Sequence, residues 1–465
     1  MQLRRKHSKK SRPNHIAPWE RALERVLTPI DEFINRQTTS GLLLIVCAVV
    51  ALGLANSPWA EIYQRLIHMP ISISLGGWVL EKSLQHWIND GLMTLFFFVV
   101  GLELKREMLV GELAQLHHAS LPIIAALGGM VVPALAFTLI TPDSDASRGW
   151  GIPMATDIAF AIGVLVLFGK RIPKSLITFL IALAIVDDLG AVMVIALFYT
   201  SELNEQALVW AAALFGALVM LNRSGVSRAL PYFLIAVLLW LAMLTSGIHP
   251  TIAGILTAST IPAVPKYDPK GFSYSVRKLL TRFDASHRQD ENIVTNSTLR
   301  GLAQSLESGV AKVQAPLQRL EHHWHLPVVI LVIPLFALAN AGVPLDFVSL
   351  GLAFEHPVTW GVITGLVLGK FIGIAGASWL AVKMGIGILP EGTRFAHIIG
   401  VSLLGGIGFT MAIFIGDLAY LHQPELQVLA KTGVLAASLL AGIAGCTWLW
   451  CCTRQDMKKE NLNHE

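Results

Sequence analysis

Long apolar segments recur along the chain from Gly41 to Leu449, and they decide what it can fold into. Over half of the residues, 54%, are hydrophobic and only 14% are charged, whereas soluble globular domains carry roughly 25% charged residues. Many segments approach or exceed the ~20 residues that a helix needs to cross a bilayer, without the every-second-residue alternation of a transmembrane β-strand. The sequence therefore predicts an all-α integral membrane protein.

Twelve spanning helices account for the apolar segments. Their approximate bounds are 37–56, 86–104, 119–141, 149–168, 175–199, 206–221, 229–245, 247–263, 325–342, 358–382, 396–416 and 427–452. They divide the chain into a basic N-terminal arm (1–36), helices 1–8 (37–263), a charged linker (264–324), helices 9–12 (325–452) and a tail (453–465). In the linker, the polar run 284–300 is predicted to be disordered and 302–322 to form an amphipathic helix. The segment Ile71–Leu80 is predicted to form a small hairpin.

The cations are distributed unevenly between the loops. Of the 35 Lys and Arg residues, only Arg65, Lys82 and Arg148 fall in loops predicted to be outside. Lys431 lies near an outer helix end, and Lys370 lies within a span. Because Lys and Arg accumulate in cytoplasmic loops, this bias agrees with twelve spans and predicts that both termini are cytoplasmic.

Four ionisable residues lie deep within apolar spans: Asp157, Asp187, Asp188 and Lys370. One intramembrane carboxylate costs at least ~2.5 to 3.5 kcal/mol on insertion scales, so such residues are usually retained for function. A buried salt bridge that fixes helix packing is the alternative, although one acid would suffice for it. We therefore take the adjacent pair Asp187–Asp188 as the functional centre.

Two spans carry helix-breaking residues at comparable depth. Gly149, Gly151 and Pro153 precede Asp157, and Gly405, Gly406 and Gly408 precede Thr410. Matching interruptions in the two halves are typical of inverted-repeat transporters with discontinuous helices, whose partially charged ends a carboxylate or an ammonium can offset. In the span of Lys370, glycines recur every fourth residue at 365, 369 and 373, which predicts close helix packing.

Paired carboxylates within a membrane suit a small hard cation. Burial and like-charge repulsion disfavour two charged carboxylates side by side, so protons and a cation compete for such a pair. Alternating exposure of the pair to the two sides produces an antiporter. No G-x-x-x-x-G-K-[ST] motif indicates the use of ATP.

Three other classes are less compatible with the residues. Intramembrane aspartyl proteases carry Tyr-Asp and Gly-x-Gly-Asp motifs within spans, whereas Tyr267-Asp268 lies in the linker and Phe414-Ile415-Gly416 precedes Asp417. A cation-coupled transporter of organic solutes is a second class, but no aromatic-lined polar cluster in the sequence suggests a solute pocket. A passive cation channel is the third class. We therefore expect a transporter that is not an enzyme and does not bind nucleic acid.

Several motifs together resemble the NhaA family of bacterial Na⁺/H⁺ antiporters, from about Ser40 to Trp450. They are ATDIAFAIGVL, ALAIVDDLGAV, LFALANAG, LPEGT and GGIGFTMAIFI. The resemblance implies inverted repeats with two discontinuous crossing helices in the bacterial cytoplasmic membrane. It also implies exchange of Na⁺ or Li⁺ for H⁺, and dimerisation through Ile71–Leu80. From the three buried titratable groups around one cation site we expect extrusion of Na⁺ in exchange for more than one H⁺ per cycle, and we expect no cofactor.

The resemblance also implies roles for individual residues. Asp188 would be the principal Na⁺ or Li⁺ ligand, Asp187 would share ion and proton handling, and Lys370 would form a pH-dependent salt bridge with Asp187. Asp157 and Thr156 would lie at the unwound crossing. The implied pH-sensing residues are Glu103, Arg106, Glu107, His249, Arg319, Glu321, His322 and His325, for which ordinary interfacial charge is the alternative. The insertion at 267–315 and the basic arm exceed the family core, so the pH set point could differ.

Overall fold

The computed structural model describes residues 37–75, 78–200, 203–264, 269–286, 296–344 and 347–464, and the arm predicted at 1–36 lies outside them. The helices are α1 (Gln37–Ala55), α2 (Ala60–Ile67), α3 (Leu84–Leu109), α4 (Leu116–Ile140), α5 (Ile158–Val166), α6 (Lys174–Phe198), α7 (Glu205–Arg223), α8 (Ala229–Ser246), α9 (Ile252–Thr260), α10 (Pro269–Ser286), α11 (Ser297–Val313), α12 (Pro316–Asn340), α13 (Phe347–Glu355), α14 (Pro357–Lys383), α15 (Phe395–Leu404), α16 (Phe409–Ala419) and α17 (Pro424–His464). Wider π-helical turns occur in α3 at Trp87–Leu92, in α12 at Val328–Val332 and in α14 at Gly365–Gly369.

The helices confirm the prediction of an all-α integral membrane protein. Within the described residues, nine helical segments are long and apolar enough to cross a membrane, or up to eleven if each of two bent pairs counts as one span. The bent pairs are α1 with α2, at 115°, and α15 with α16, at 47°. The number twelve and the inverted repeat stay predictions.

The segment predicted to span at 247–263 forms a shorter helix than expected. α8 ends at Gly247, whose φ of 88° lies in the left-handed region that favours glycine, and Pro250 follows before α9 begins. Nine residues of α-helix extend only ~14 Å, less than half of the ~30 Å hydrocarbon core. α9 packs instead along α3, where a Cβ atom on Gly101 would lie 2.8 Å from Ala258 Cβ.

The predicted hairpin is present as two antiparallel strands. β1 (Pro70–Leu75) pairs with β2 (Trp78–Ser83) from Pro70 opposite Ser83 to Leu75 opposite Trp78. The Gly76-Gly77 turn lies outside the described residues. The hairpin leads directly into α3, because Ser83 caps that helix by accepting a hydrogen bond from the His86 N–H.

The linker contains more helix than predicted. The run 284–300 is not disordered at its ends, because α10 continues to Ser286 and α11 begins at Ser297; residues 287–295 lie outside the described ranges. The helix predicted at 302–322 is not continuous either: α11 ends at Val313, and α12 begins with Pro316, a residue favoured in a first helical turn. α10 and α11 pack against each other, so each covers part of the apolar face of its partner. The tail predicted at 453–465 continues α17 as helix to His464.

Close packing around the glycines of α14 is confirmed, and the neighbour is α4. A Cβ atom on Gly369 would lie 2.7 Å from Pro133 Cα, and one on Gly373 would overlap the Gly128 carbonyl oxygen. Small residues at such positions let two backbones approach closely. The contact holds Lys370 beside α4, within reach of α6.

Candidate ion-binding site

The two interrupted spans meet at their breaks. The chain is extended from Ala155 to Asp157, between a 3₁₀ segment and α5. The Asp157 N–H donates to the Ile407 carbonyl at 2.7 Å, and the Thr156 hydroxyl donates to the Gly405 carbonyl at 2.9 Å. Backbone groups that a continuous helix would pair internally are therefore satisfied across the contact, as burial in a membrane requires.

Asp157 links the starts of two helices. Its Oδ1 atom accepts a hydrogen bond from the Phe160 N–H at 3.0 Å, which caps α5. Its Oδ2 atom accepts from the Thr410 N–H at 3.1 Å and from the Thr410 hydroxyl at 2.5 Å, at the start of α16. A carboxylate is stabilised at helix N-termini, where unpaired N–H groups carry partial positive charge. The arrangement matches the predicted role of Asp157 in offsetting the ends of broken helices.

Lys370 and Asp187 form a fully buried ion pair between α14 and α6. The Lys370 ammonium donates to Asp187 Oδ2, and both side chains have 0% exposure. The π-helical turn Gly365–Gly369 immediately precedes the lysine, and such turns occur frequently at functional sites. The predicted salt bridge is therefore present in the structure; its dependence on pH stays a prediction.

Asp188 is the unpartnered carboxylate of the site. It is 1% exposed, and within the described part of the chain neither of its oxygen atoms has a hydrogen-bond partner. Adjacent residues of an α-helix point ~100° apart, so Asp187 faces Lys370 while Asp188 faces a cavity. Buried carboxylate oxygens are normally hydrogen-bonded. An orphaned pair of oxygens at a cavity wall is suited to a cation or a proton.

The cavity has a volume of about 790 Å³ and joins Asp188 to a charged mouth. Asp157 and Thr410 line its deep end beside Asp188. Glu103, Arg106, Glu321, His322 and His325 line the mouth. The Arg106 and His325 side chains are 41% and 51% exposed, so the mouth reaches the protein surface.

Ion pairs join the helices at the mouth. Arg106 on α3 lies 2.9 Å from Glu107 and 2.7 Å from Glu321 on α12. His325 Nε2 lies 3.9 Å from Glu103 Oε1, a contact that is an ion pair only when the histidine is protonated. Six of the eight residues predicted to sense pH are thus gathered at one end of the cavity.

The other two predicted sensors have different surroundings. Arg319 donates a hydrogen bond to the Ser227 carbonyl at 3.3 Å, in the loop before α8. His249, between α8 and α9, lies 3.5 Å from Asp90 near the opposite end of α3. The structure therefore does not bring His249 to the mouth.

Three phenylalanine rings close the site on the side opposite the mouth. Phe414 follows Thr410 by one turn of α16, and its ring centroid lies 5.7 Å from Phe97 and 6.0 Å from Phe336. All three side chains have 0% exposure. The cavity is therefore open at the mouth and ends at the Asp157–Thr410 contact, and the buried rings of this phenylalanine layer pack together beyond it.

Sequence reasoning missed two functional elements here. The sequence marks Thr410 only by its position two residues after Gly408, yet it makes two of the hydrogen bonds that hold Asp157. Its signal was available, because Thr410 follows one break as Thr156 follows the other. The phenylalanine layer gave no signal, since these rings are three of the 20 phenylalanines in a chain rich in apolar residues.

Comparisons with known proteins match nearly the whole chain. The sequence model of a family described as Na⁺/H⁺ antiporter 1 matches residues 31–449. The Na⁺/H⁺ antiporter NhaA 1 of Saccharophagus degradans is 53% identical over 444 residues, 95% of this chain and 96% of that protein. The NhaA proteins of Sulfurimonas denitrificans and Acidithiobacillus ferrooxidans are 51% and 49% identical. These matches cover 93% and 92% of this chain, and 97% and 99% of those proteins.

Proposed function

Because the chain belongs to the Na⁺/H⁺ antiporter 1 family, we propose that it exchanges Na⁺ or Li⁺ for protons at Asp188 and Asp187. The orphaned carboxylate of Asp188, buried at the end of the cavity, is the observation that carries the proposal. A bare buried carboxylate is costly unless a proton or a cation satisfies it. Competition between the two for one group couples their movements.

The buried ion pair supports more than one proton per cycle. Before loading, Asp188 holds a proton, and the Lys370 ammonium neutralises Asp187. A cation bound between the two carboxylates displaces the Asp188 proton and replaces the ammonium as the positive partner of Asp187. Lys370 then loses the charge that stabilised its protonated form and releases a second proton. One positive charge thus enters the site as two leave, so the exchange responds to membrane potential.

Alternating access requires the two ends of the site to open in turn. The structure is open at the Glu103–His325 mouth and closed at the phenylalanine layer, as expected for a state that loads the cation. Opening of the layer would release the cation to the other side and let protons reach Asp188. The helix breaks at Ala155–Asp157 and between α15 and α16 lie beside this step, and we propose that the backbone bends there.

We further propose that the charged mouth regulates transport by pH. Arg106 joins α3 to α12 through Glu321, so a change of charge in this cluster changes the contact between two helices that line the cavity. Simple interfacial packing is the alternative. If the cluster regulates transport, an Arg106→Gln variant should alter the pH profile of exchange. If it only packs the interface, the variant should change only the amount of folded protein.

We place the protein in the bacterial cytoplasmic membrane, with the mouth and both termini on the cytoplasmic side. The uneven distribution of Lys and Arg supports this orientation. The two-stranded hairpin β1–β2 is a candidate contact for a homodimer, because a strand at the edge of a sheet presents unpaired backbone groups to a second copy. Cysteine labelling at the hairpin and at the linker tests the orientation.

Everted membrane vesicles with an imposed pH gradient test the exchange. Added Na⁺ or Li⁺ should dissipate the gradient, and K⁺ serves as the comparison cation. Asp188→Asn should abolish the response, whereas Asp143→Asn, at an exposed acid after α4, should not change it. Undiminished exchange in Asp188→Asn would refute the assignment.

A further inference from the structure

Asp417 is a buried carboxylate that the exchange site does not use. It lies near the end of α16, is 7% exposed, and its Oδ1 atom lies 2.9 Å from Lys431 Nζ on α17. Its Oδ2 atom has no hydrogen-bond partner among the described residues. Burying an acid at such a position is expensive even with a partner, so the pair calls for a role.

Asp417 lies on the same face of α16 as two residues of the ion site. Thr410, Phe414 and Asp417 follow one another at spacings of four and three, which places them on one side of the helix. Seven residues separate Thr410 from Asp417, a rotation of only ~20° and a rise of ~10 Å. Thr410 lines the deep end of the cavity, and Phe414 belongs to the layer that seals it. Asp417 is therefore the first carboxylate on this face beyond the seal.

A second buried acid lies on the same side of the seal. The His249 ring packs edge-on against Phe414, with centroids 5.3 Å apart, and its Nε2 atom lies 3.5 Å from Asp90 Oδ1. Asp90 Oδ2 lies 3.2 Å from Lys82 Nζ. Beyond the phenylalanine layer, two buried acids are thus each covered by a lysine.

The chemistry repeats that of the inner pair. Lys370 neutralises Asp187 in the exchange site, and Lys431 neutralises Asp417, which lies ~10 Å beyond Thr410 along α16. A monovalent cation can replace an ammonium beside a carboxylate, because both carry one positive charge. The free Oδ2 atom of Asp417 supplies a second oxygen for such an ion.

We propose that Asp417 is an outer binding station for the extruded alkali cation, and that Lys431 covers it while the phenylalanine layer is closed. The proposal rests on the proposed function, since it assigns the release half of the same route. When Phe414 moves aside, the cation leaves the inner acids, displaces the Lys431 ammonium from Asp417 and passes to the outer solution.

A salt bridge that only fastens α16 to α17 is the alternative. The two roles predict different effects on the affinity for outer Na⁺ when Asp417 or Lys431 is removed. For a fastening pair, loss of either partner weakens folding and leaves the affinity for Na⁺ unchanged. For a binding station, Asp417 is a ligand and Lys431 is its competitor, so their removal changes outer Na⁺ affinity in opposite directions.

The test measures Na⁺-driven proton efflux from right-side-out vesicles at fixed alkaline pH, with Na⁺ added outside. Asp417→Asn should raise the apparent KM for outer Na⁺ by about tenfold, as expected for loss of one contact to a charged group. Lys431→Met should lower that KM, and the double variant should match Asp417→Asn. Glu425→Gln, at an exposed acid in the first turn of α17, is the matched control and should leave the KM unchanged.

The outcomes separate the two proposals. Equal KM values in wild type, Asp417→Asn and Lys431→Met, at matched amounts of folded protein, would overturn the outer station. A KM shift in the same direction for both single variants would overturn it as well. Exchange that survives in Asp188→Asn would instead refute the proposed function. If Asp188→Asn loses exchange while Asp417→Asn and Lys431→Met keep the wild-type KM for outer Na⁺, only the outer station would be refuted.

Discussion

Replacing Lys370 by methionine should destabilise the protein strongly, although the side-chain volume changes little. Both Lys370 and Asp187 are 0% exposed, so no solvent can replace the lost partner of the carboxylate. Removing one member of a buried pair costs about 3–5 kcal/mol, whereas an exposed pair contributes only about 0–1 kcal/mol. Since total stabilities are commonly about 5–15 kcal/mol, the single variant should lose a large fraction of its stability.

The double variant Asp187→Asn/Lys370→Met should recover most of that loss, because neither remaining side chain carries a charge. Thermal unfolding in detergent, followed by tryptophan fluorescence, measures the four corners of this double-mutant cycle. Lys383→Met is the matched control: this lysine ends the same helix, is exposed, and lies 4.6 Å from the centre of the Trp379 ring. Its loss should cost at most about 1 kcal/mol.

Two results would refute this reasoning. One is a midpoint for Lys370→Met that equals that of the Lys383→Met control, since the buried pair would then contribute no more than a surface charge. The other is a double variant no more stable than Lys370→Met, because the loss would then come from helix packing and not from an uncompensated charge.

Three further predictions concern transport. Thr410→Val should raise the KM for Na⁺ by about tenfold, the effect of losing one hydrogen bond to a charged group, while Thr410→Ser, which keeps the hydroxyl that holds Asp157, should stay near wild type in the same vesicle assay. Phe414→Ala should open the sealed side, and a proton leak in vesicles without Na⁺ would detect it; a tight Phe414→Ala vesicle would disprove the seal. Lys370→Ala should lower the number of protons per cation from two toward one, so that an imposed membrane potential no longer drives exchange.

The centre of the site could be predicted from the sequence for a simple physical reason. Ionisable side chains within apolar spans are costly in a membrane, which singles out Asp157, Asp187, Asp188 and Lys370. The resemblance alone assigns Lys370 to Asp187 and not to Asp188. Helical geometry then separated Asp188 from Asp187 by ~100°, and the structure finds the former at the cavity and the latter on the lysine. Proline and glycine marked both breaks, because they remove backbone donors or helix preference.

Other features depended on contacts that no local pattern records. The resemblance implies an effect of His249 on the pH profile but gives no location for it, and only the fold shows it beside Asp90. The linker sequence is charged and polar, yet it forms two helices, α10 and α11, that pack against each other. The helix predicted at 247–263 is shorter than expected. Gly247 ends α8, Pro250 follows, and α9 begins only at Ile252, and a hydropathy profile does not detect this interruption.

The cavity has a consequence for the kinetics of the protein. It extends from the charged mouth to Asp188 and has a volume of about 790 Å³. In the proposed exchange, Na⁺ and H⁺ both reach Asp188 through this one cavity. Because they compete for the same carboxylate, they bind in alternation. A bulky side chain at Val100 on the cavity wall should then block Na⁺ transport and H⁺ transport together.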